Sequence, residues 1–266
     1  MANKAVLAAL TIAGSDNSGG AGIQADLKTF TTLGVFGAAA VTCVVAEHPG
    51  RVESIHPVPP KEVARQIALV FEAFPVGAAK TGMLYSKAII EVVARELELL
   101  PRKKRPPLVV DPVMVASSGA LLMKKEAVRA LMNRLLPLAA LVTPNLNEAE
   151  VLLGRRIRNV DEAESAAVDC FQIWGVPFLI KGGHLQGSEA VDFLYDGRRM
   201  MSLNAARVPR VKTHGTGCTY SSAITACLAR RQTLSESVWT GKEFVTRAIR
   251  DHFRLGRYQL LNQLPE

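Results

Sequence analysis

The chain has 266 residues, 48% of them hydrophobic and 21% charged, with a formal net charge of +8. That content sustains a substantial core and, with no break in composition, fits one α/β domain over residues 1–266. The positive charge is scattered, its densest run Arg102-Lys103-Lys104-Arg105 lies between prolines, and only 6% of residues are aromatic, which argues against a nucleic-acid partner and for anionic small molecules.

Short apolar runs alternate along the chain with stretches of helical period. Strands are predicted at Val6–Ala13, Ala38–Ala46, Val76–Thr81, Leu108–Val110, Ala140–Thr143, Phe178–Lys181 and Val191–Tyr195. Helices are predicted at Ile23–Leu33, Lys61–Phe74, Lys87–Leu99, Lys124–Leu136, Leu146–Leu153, Asp161–Trp174, Thr219–Arg230 and Leu234–Tyr258. The βαβα order and the continuously apolar strands predict a mainly parallel central sheet buried between helices on both faces. The longest apolar stretch, Val35–Ala46, is too short to span a bilayer and is rich in β-branched residues, as a buried strand would be. Val6–Ala13 lacks a cleavage pattern after it, so neither membrane nor export is expected. Cys43, Cys170, Cys218 and Cys227 form no Cys-x-x-Cys pair and no cluster with histidine, suggesting neither disulfides nor zinc and fitting a reduced cytoplasm.

Ligands of such sheets bind beyond the carboxyl ends of the strands. There the chain places Gly14-Ser15-Asp16-Asn17-Ser18-Gly19-Gly20-Ala21-Gly22, Glu47-His48, Lys80-Thr81-Gly82-Met83, Asp111-Pro112-Val113-Met114, Thr143-Pro144-Asn145-Leu146-Asn147-Glu148 and Lys181-Gly182-Gly183-His184. Thr213-His214-Gly215-Thr216-Gly217-Cys218-Thr219 then runs into an alanine-rich helix, and small residues before a helix start form an anion cradle from unpaired N–H groups and the helix dipole. A thiol at such a start, Cys218, is expected to be acidified and partly ionised near neutrality. Gly20-Ala21-Gly22-Ile23-Gln24-Ala25 also fits a dinucleotide fingerprint, with Glu47 after the next strand, but six residues separate the strand from its first glycine where a tight turn is required. No Walker loop is present. Phosphoryl transfer without one still needs a cationic clamp, metal-organising carboxylates and a cradle for developing charge. Lys181 can meet nucleotide phosphates, Asp111 and the Asn145-x-x-Glu148 pair can hold magnesium directly or through water, and the Gly215–Cys218 turn can hold the transferred group.

Nearly the whole chain, through Ala9–Asp16, Ser18–Lys28, Asp111–Met114, Thr143–Asn145, Lys181–His184 and His214–Cys218, resembles the hydroxymethylpyrimidine/phosphomethylpyrimidine kinases of thiamine biosynthesis, within the ribokinase-like superfamily. The resemblance implies a single ribokinase-like domain, a homodimer, and ATP with Mg2+. Its acceptors would be 4-amino-5-hydroxymethyl-2-methylpyrimidine and its monophosphate. It also implies an acceptor pocket of Gly14, Ala21, Asp26, Val45, Glu47, Met83 and Val113, with Cys218 beside the reacting oxygen and the Gly215-Thr216-Gly217-Cys218 backbone as anion hole. Asn145 and Lys181 fall on the nucleotide side, Asp111 and Glu148 on the metal side. The chain departs from the pattern at Ala46-Glu47-His48-Pro49, where bifunctional members read Ala-Gln-Asn-Thr. An ionised glutamate only accepts hydrogen bonds, so the free alcohol is expected to be the poorer acceptor. A vitamin B6 kinase and, more distantly, a non-catalytic ligand sensor on the same fold are the alternatives.

Overall fold

The structure, a computed structural model, describes residues 7–114, 123–183, 187–211 and 213–264. Its main sheet has nine strands: β1 (Ala8–Asp16), β2 (Phe36–His48), β3 (Arg51–Pro57), β4 (Val76–Thr81), β5 (Leu108–Val110), β6 (Leu141–Val142), β7 (Phe178–Lys181), β8 (Glu189–Tyr195) and β9 (Met200–Ala206), in the order β3-β2-β1-β4-β5-β6-β7-β8-β9. From β2 through β7 in that order every pairing is parallel, whereas β2–β3 and β7–β8–β9 are antiparallel. The strict βαβα expectation therefore fails at both edges, where hairpins extend the sheet. The hairpin strands β3 and β9 alternate weakly and contain Pro57 or Asn204, which hid them from a reading based on apolar runs.

Among the described residues the α-helices are α1 (Gly22–Thr32), α2 (Pro60–Ala73), α3 (Lys87–Leu99), α4 (Lys125–Ala130), α5 (Leu146–Leu153), α6 (Val160–Trp174), α7 (Thr216–Ala229) and α8 (Leu234–Arg250). Strand alternation decides which face each residue serves. Leu10, Ile12, Val110, Phe178 and Ile180 join α2 through α6 in one core, while Ala9, Val109 and Leu179 meet α1, α7 and α8 on the other side. The predicted Lys124–Leu136 helix is instead α4 followed by a π turn over Leu131–Leu135. The predicted Leu234–Tyr258 helix ends at Arg250, because Gly256, at φ 58°, turns the chain into a hairpin of β11 (Phe253–Leu255) and β12 (Tyr258–Leu260). β12 also pairs with β10 (Thr213–His214), forming a second sheet of order β10-β12-β11 beside the ligand end of the first.

β2 is not the fully buried strand expected. Phe36 is 52% and Val44 55% exposed, and β3 beyond it is mostly open to solvent. Among the described residues no helix is long and apolar enough to cross a membrane.

Candidate active site

The small-residue turn before α7 forms as read from the sequence. Gly215 is the N-cap with φ 82°, and a Cβ there would overlap the carbonyl oxygen of Gly20, so no other residue fits. No side chain caps α7, which leaves the first N–H groups of Thr216, Gly217 and Cys218 directed out of the helix start. Gly217 approaches the charged groups below it: a Cβ at that position would stand 3.1 Å from Lys181 Nζ and 3.5 Å from Asp111 Oδ2.

Asp111, immediately after β5, is buried and accepts from Lys181 Nζ at 3.0 Å, Ser221 Oγ at 3.1 Å and Thr143 Oγ1 at 3.4 Å. Lys181 closes β7; burial works against its charge, but Asp111 and Glu148 outweigh that and hold the ammonium above its ordinary range. Asn145 and Glu148 form the capping box of α5, with Asn145 Oδ1 accepting from Glu148 N at 3.0 Å and Glu148 Oε2 from Asn145 N at 2.9 Å. Glu148 Oε1 accepts from Met114 N at 3.1 Å, tying the loop after β5 to α5. Burial is the main force pushing the Glu148 carboxyl up to about 7, Lys181 opposes it and Asp111 adds to it. Burial and Asp111 keep the Glu148 carboxyl partly protonated, and a divalent cation beside it would draw it into the charged form. Mg2+ keeps several of its waters, and Asp111 Oδ2 and both Glu148 oxygens, each with one hydrogen bond, retain a lone pair, so the two residues fit such an ion through water as well as directly.

Cys218 is half-buried, and its thiol is not acidified. Burial pushes it up; Lys80 and the N–H of Gly22 pull it down, Asp26 and Asp111 push it up again, and the result is about 12. The expectation of a thiolate fails because burial, reinforced by Asp26 and Asp111, outweighs Lys80 and the helix start.

Asp26 also departs from its expected role. It is fully buried, with Oδ2 accepting from Thr11 Oγ1 at 2.6 Å and Oδ1 from Ser222 Oγ at 2.6 Å and Lys80 Nζ at 2.8 Å. No surface remains for a ligand, and the carboxylate joins β1, β4, α1 and α7 from beneath. Of the other expected pocket residues, Gly14 packs against Cys43 and Met83, with a Cβ there only 2.6 Å from Cys43 Sγ. Thr42 Oγ1 donates to the Met83 carbonyl at 2.6 Å. Val45 is buried opposite Asp16 on the neighbouring strand. Val113 has φ 41°, a strained conformation for a β-branched residue that holds the loop after β5 in one shape.

Asp16 and His214, quoted in motifs but given no role, complete the arrangement around Glu47. Asp16 accepts from Ser18 N and Ala21 N, both at 2.7 Å, and its Oδ2 lies 3.1 Å from His214 Nε2, which is 4.0 Å from Glu47 Oε2. Burial raises the Asp16 carboxyl, but the contacts with His214, Ser18 and Ala21 win and hold it at about 2. Glu47 goes the other way, raised first by burial and then by Asp16, with His214 opposing. Burial disfavours the His214 cation, yet Asp16 and Glu47 together hold it above the ordinary imidazole range. The backbone N–H of Glu47 donates to Asn17 Oδ1 at 2.7 Å, fixing where the side chain starts. Only position could have revealed this group: Asp16 ends β1, Glu47 nears the end of β2 and His214 precedes the α7 turn, three segments far apart in the chain.

Comparison with known proteins places this geometry. The family model for phosphomethylpyrimidine kinase matches residues 16–262. The chain belongs to the phosphomethylpyrimidine kinase family. The hydroxymethylpyrimidine/phosphomethylpyrimidine kinase of Aquifex aeolicus is 39% identical to this family member over 255 residues, covering 96% of this chain and 99% of that one. Among solved structures, a phosphomethylpyrimidine kinase from Clostridium difficile is similar with a TM-score of 0.80 at 41% identity, over 91% of this kinase chain and 99% of the other. An ADP complex of Bacillus subtilis pyridoxal kinase is similar with a TM-score of 0.88 at 38% identity, over 97% and 98%. The central sheet with helices on both faces is the ribokinase-like fold shared with these neighbours. Of the Lys181–His184 motif, His184 lies outside the described residues.

Proposed function

We propose that this kinase transfers the γ-phosphoryl group of ATP to 4-amino-5-hydroxymethyl-2-methylpyrimidine monophosphate, and less efficiently to the free hydroxymethylpyrimidine. The observation that carries the reading is the uncapped start of α7, with Lys181 and Asp111 below Gly217 and with Asp16, Glu47 and His214 beside Gly20 and Ala21. Lys181 and Asn145 serve the nucleotide side, and the α7 amides receive the charge that builds on the transferred group. Magnesium held by Asp111 and Glu148 would neutralise phosphate charge. A phosphate acceptor is already anionic at neutral pH, so its oxygen forms the new P–O bond as the bond to the β-phosphate breaks, and no base is needed. The free alcohol must lose a proton, and a Cys218 thiol near 12 is a poor acceptor for it.

Glu47 decides how the ring is read. Glutamine can accept from the exocyclic amine and donate to the adjacent ring nitrogen; a carboxyl does both only when it is protonated. Its raised pKa favours that form. Either Glu47 or the ring nitrogen must carry one proton, so lowering the pH strengthens recognition in the native protein, whereas an amide at position 47 needs no such proton. Initial rates of ADP release with the monophosphate, the free alcohol and pyridoxal test the assignment. The monophosphate is expected to give the highest kcat/KM, and Glu47→Gln is expected to improve the alcohol about fivefold or more at pH 8, with a smaller gain at pH 6. Equal efficiency with both pyrimidines would remove the selectivity argument. Turnover of pyridoxal alone would favour a vitamin B6 kinase, the second reading that the Bacillus subtilis neighbour supports.

The reading extends to a homodimer in a reducing cytoplasm. Exposed Phe36 and Val44 on β2, beside the open strand β3, supply an apolar face for a second copy, and four free cysteines suit a reduced compartment. Sedimentation equilibrium is expected to give twice the chain mass, and Val44→Asp the mass of one chain.

A further inference from the structure

The mechanism leaves unused the buried ion pair of Asp192 and Lys242, next to Lys181 in the sheet. Asp192 of β8 stands opposite Lys181 of β7 in the antiparallel register. Its Oδ1 accepts from the backbone N–H of Gly182 at 2.9 Å, and its Oδ2 accepts from Lys242 Nζ of α8 at 2.7 Å. Lys242 Nζ also donates to the Ala190 carbonyl at 2.9 Å, so the lysine is anchored to the same strand at Asp192 and two residues before it. Both side chains are buried.

Gly182 is the first residue past β7, and its N–H points where no further strand partner continues the ladder. On the other side the N–H of Lys181 donates to the Pro144 carbonyl at 2.9 Å. The backbone of the lysine is thus held between two bonds, one from the loop before α5 and one from Asp192. From that position its ammonium reaches Asp111 at 3.0 Å and lies against Gly217. A glycine follows on each of the next two positions, so the chain itself supplies little stiffness there.

We propose that Asp192, fixed by Lys242, is a positioning residue for the nucleotide clamp. It holds the Gly182 amide and so sets the place of the Lys181 ammonium, and this rests on the nucleotide role given to Lys181 above. The role differs from that of a simple staple between β8 and α8. A staple contributes stability through its charges, whereas a positioning residue matters through the acceptor it presents to one N–H.

Two double variants separate these roles, because replacing both partners of a buried ion pair by uncharged groups usually leaves a folded protein. In Asp192→Asn with Lys242→Met, an oxygen remains for Gly182; in Asp192→Leu with Lys242→Met, none does. KM for ATP, KM for the pyrimidine monophosphate and ADP binding by calorimetry without acceptor are measured for both, alongside thermal unfolding. The leucine pair is expected to raise KM for ATP and weaken ADP binding about tenfold, the effect of a buried donor losing its acceptor, with KM for the monophosphate within about twofold. The asparagine pair is expected to stay within about threefold of the native protein for ATP. Native-like nucleotide binding in the leucine pair, or equal losses in the two pairs, would overturn the proposal. Absence of phosphoryl transfer in the native protein would overturn instead the functional reading on which it rests, and ADP calorimetry keeps the two failures apart.

Discussion

Gly217→Ala is expected to abolish most of the activity while leaving the fold intact or slightly more stable. Gly217 is the second residue of α7, where alanine is the better helix former by up to about 1 kcal/mol. The added methyl group would stand 3.1 Å from Lys181 Nζ and 3.5 Å from Asp111 Oδ2. The lysine end can move aside, so folding tolerates the change, but the methyl then fills the space between the clamp and the helix amides. A loss of about 10²- to 10³-fold in kcat/KM is the scale seen when one preorganised donor for a developing anion is removed. Coupled ADP release and thermal unfolding on the same samples check both halves. Activity near the native value would mean that the transferred group does not sit at this helix start.

Lys80→Met produces the opposite pattern, a large loss of stability. Lys80 Nζ and Asp26 Oδ1 lie 2.8 Å apart with neither side chain exposed. Burial disfavours the ammonium, yet Asp26 outweighs that, with Cys218 and Asp111 adding to it, and Lys80 is held above the ordinary lysine range. Removing the cation strands a buried carboxylate with only the Thr11 and Ser222 hydroxyls to compensate it, a change that typically costs about 3–5 kcal/mol. Asp26→Asn in the same chain removes the stranded charge, keeps an acceptor for one of the Thr11 and Ser222 hydroxyls and offers the other, which can accept, an amide N–H, so about half of the loss or more should return. Urea unfolding of the single and double variants measures this. A loss below about 1 kcal/mol for Lys80→Met would mean that solvent reaches the pair after all.

Asp26 also illustrates what a sequence can and cannot disclose. The residues at the strand ends were legible because the fold class announces where ligands bind, and because apolar runs such as Val76–Thr81, Leu108–Val110 and Phe178–Lys181 match their strands. Whether a carboxylate there faces a ligand or its own protein depends on what three other elements bring to it, which no local pattern encodes. The same holds for Cys218: its place at a helix start was readable, but the burial that keeps its proton in place, and the two carboxylates from α1 and the end of β5 that add to it, come from the packing of other elements. Glu148 was legible as a metal-side carboxylate, and the structure adds its place in the capping box of α5. The edge hairpins and the β11–β12 turn escaped because polar, half-exposed strands carry little apolar periodicity and because arginine-rich segments after α8 continue to suit a helix.

The β10-β12-β11 sheet gives the acceptor side its own fate in the life of the molecule. His214 belongs to β10, two residues long, and is kept beside Asp16 by pairing with Leu260 of β12, while Tyr258 of β12 meets His48 of the β2–β3 hairpin at 3.2 Å. β11 on its outer edge is exposed along its length. Such short, thinly covered strands open at far lower free energy than a sheet buried between two helical layers. Breathing of this corner would release His214 and uncover Glu47 while Lys181, Asn145 and Asp111, rooted in the central strands, keep their places. On the proposed assignment of the two sides, a warmed or partly unfolded population is therefore expected to surrender its grip on the pyrimidine before its grip on the nucleotide.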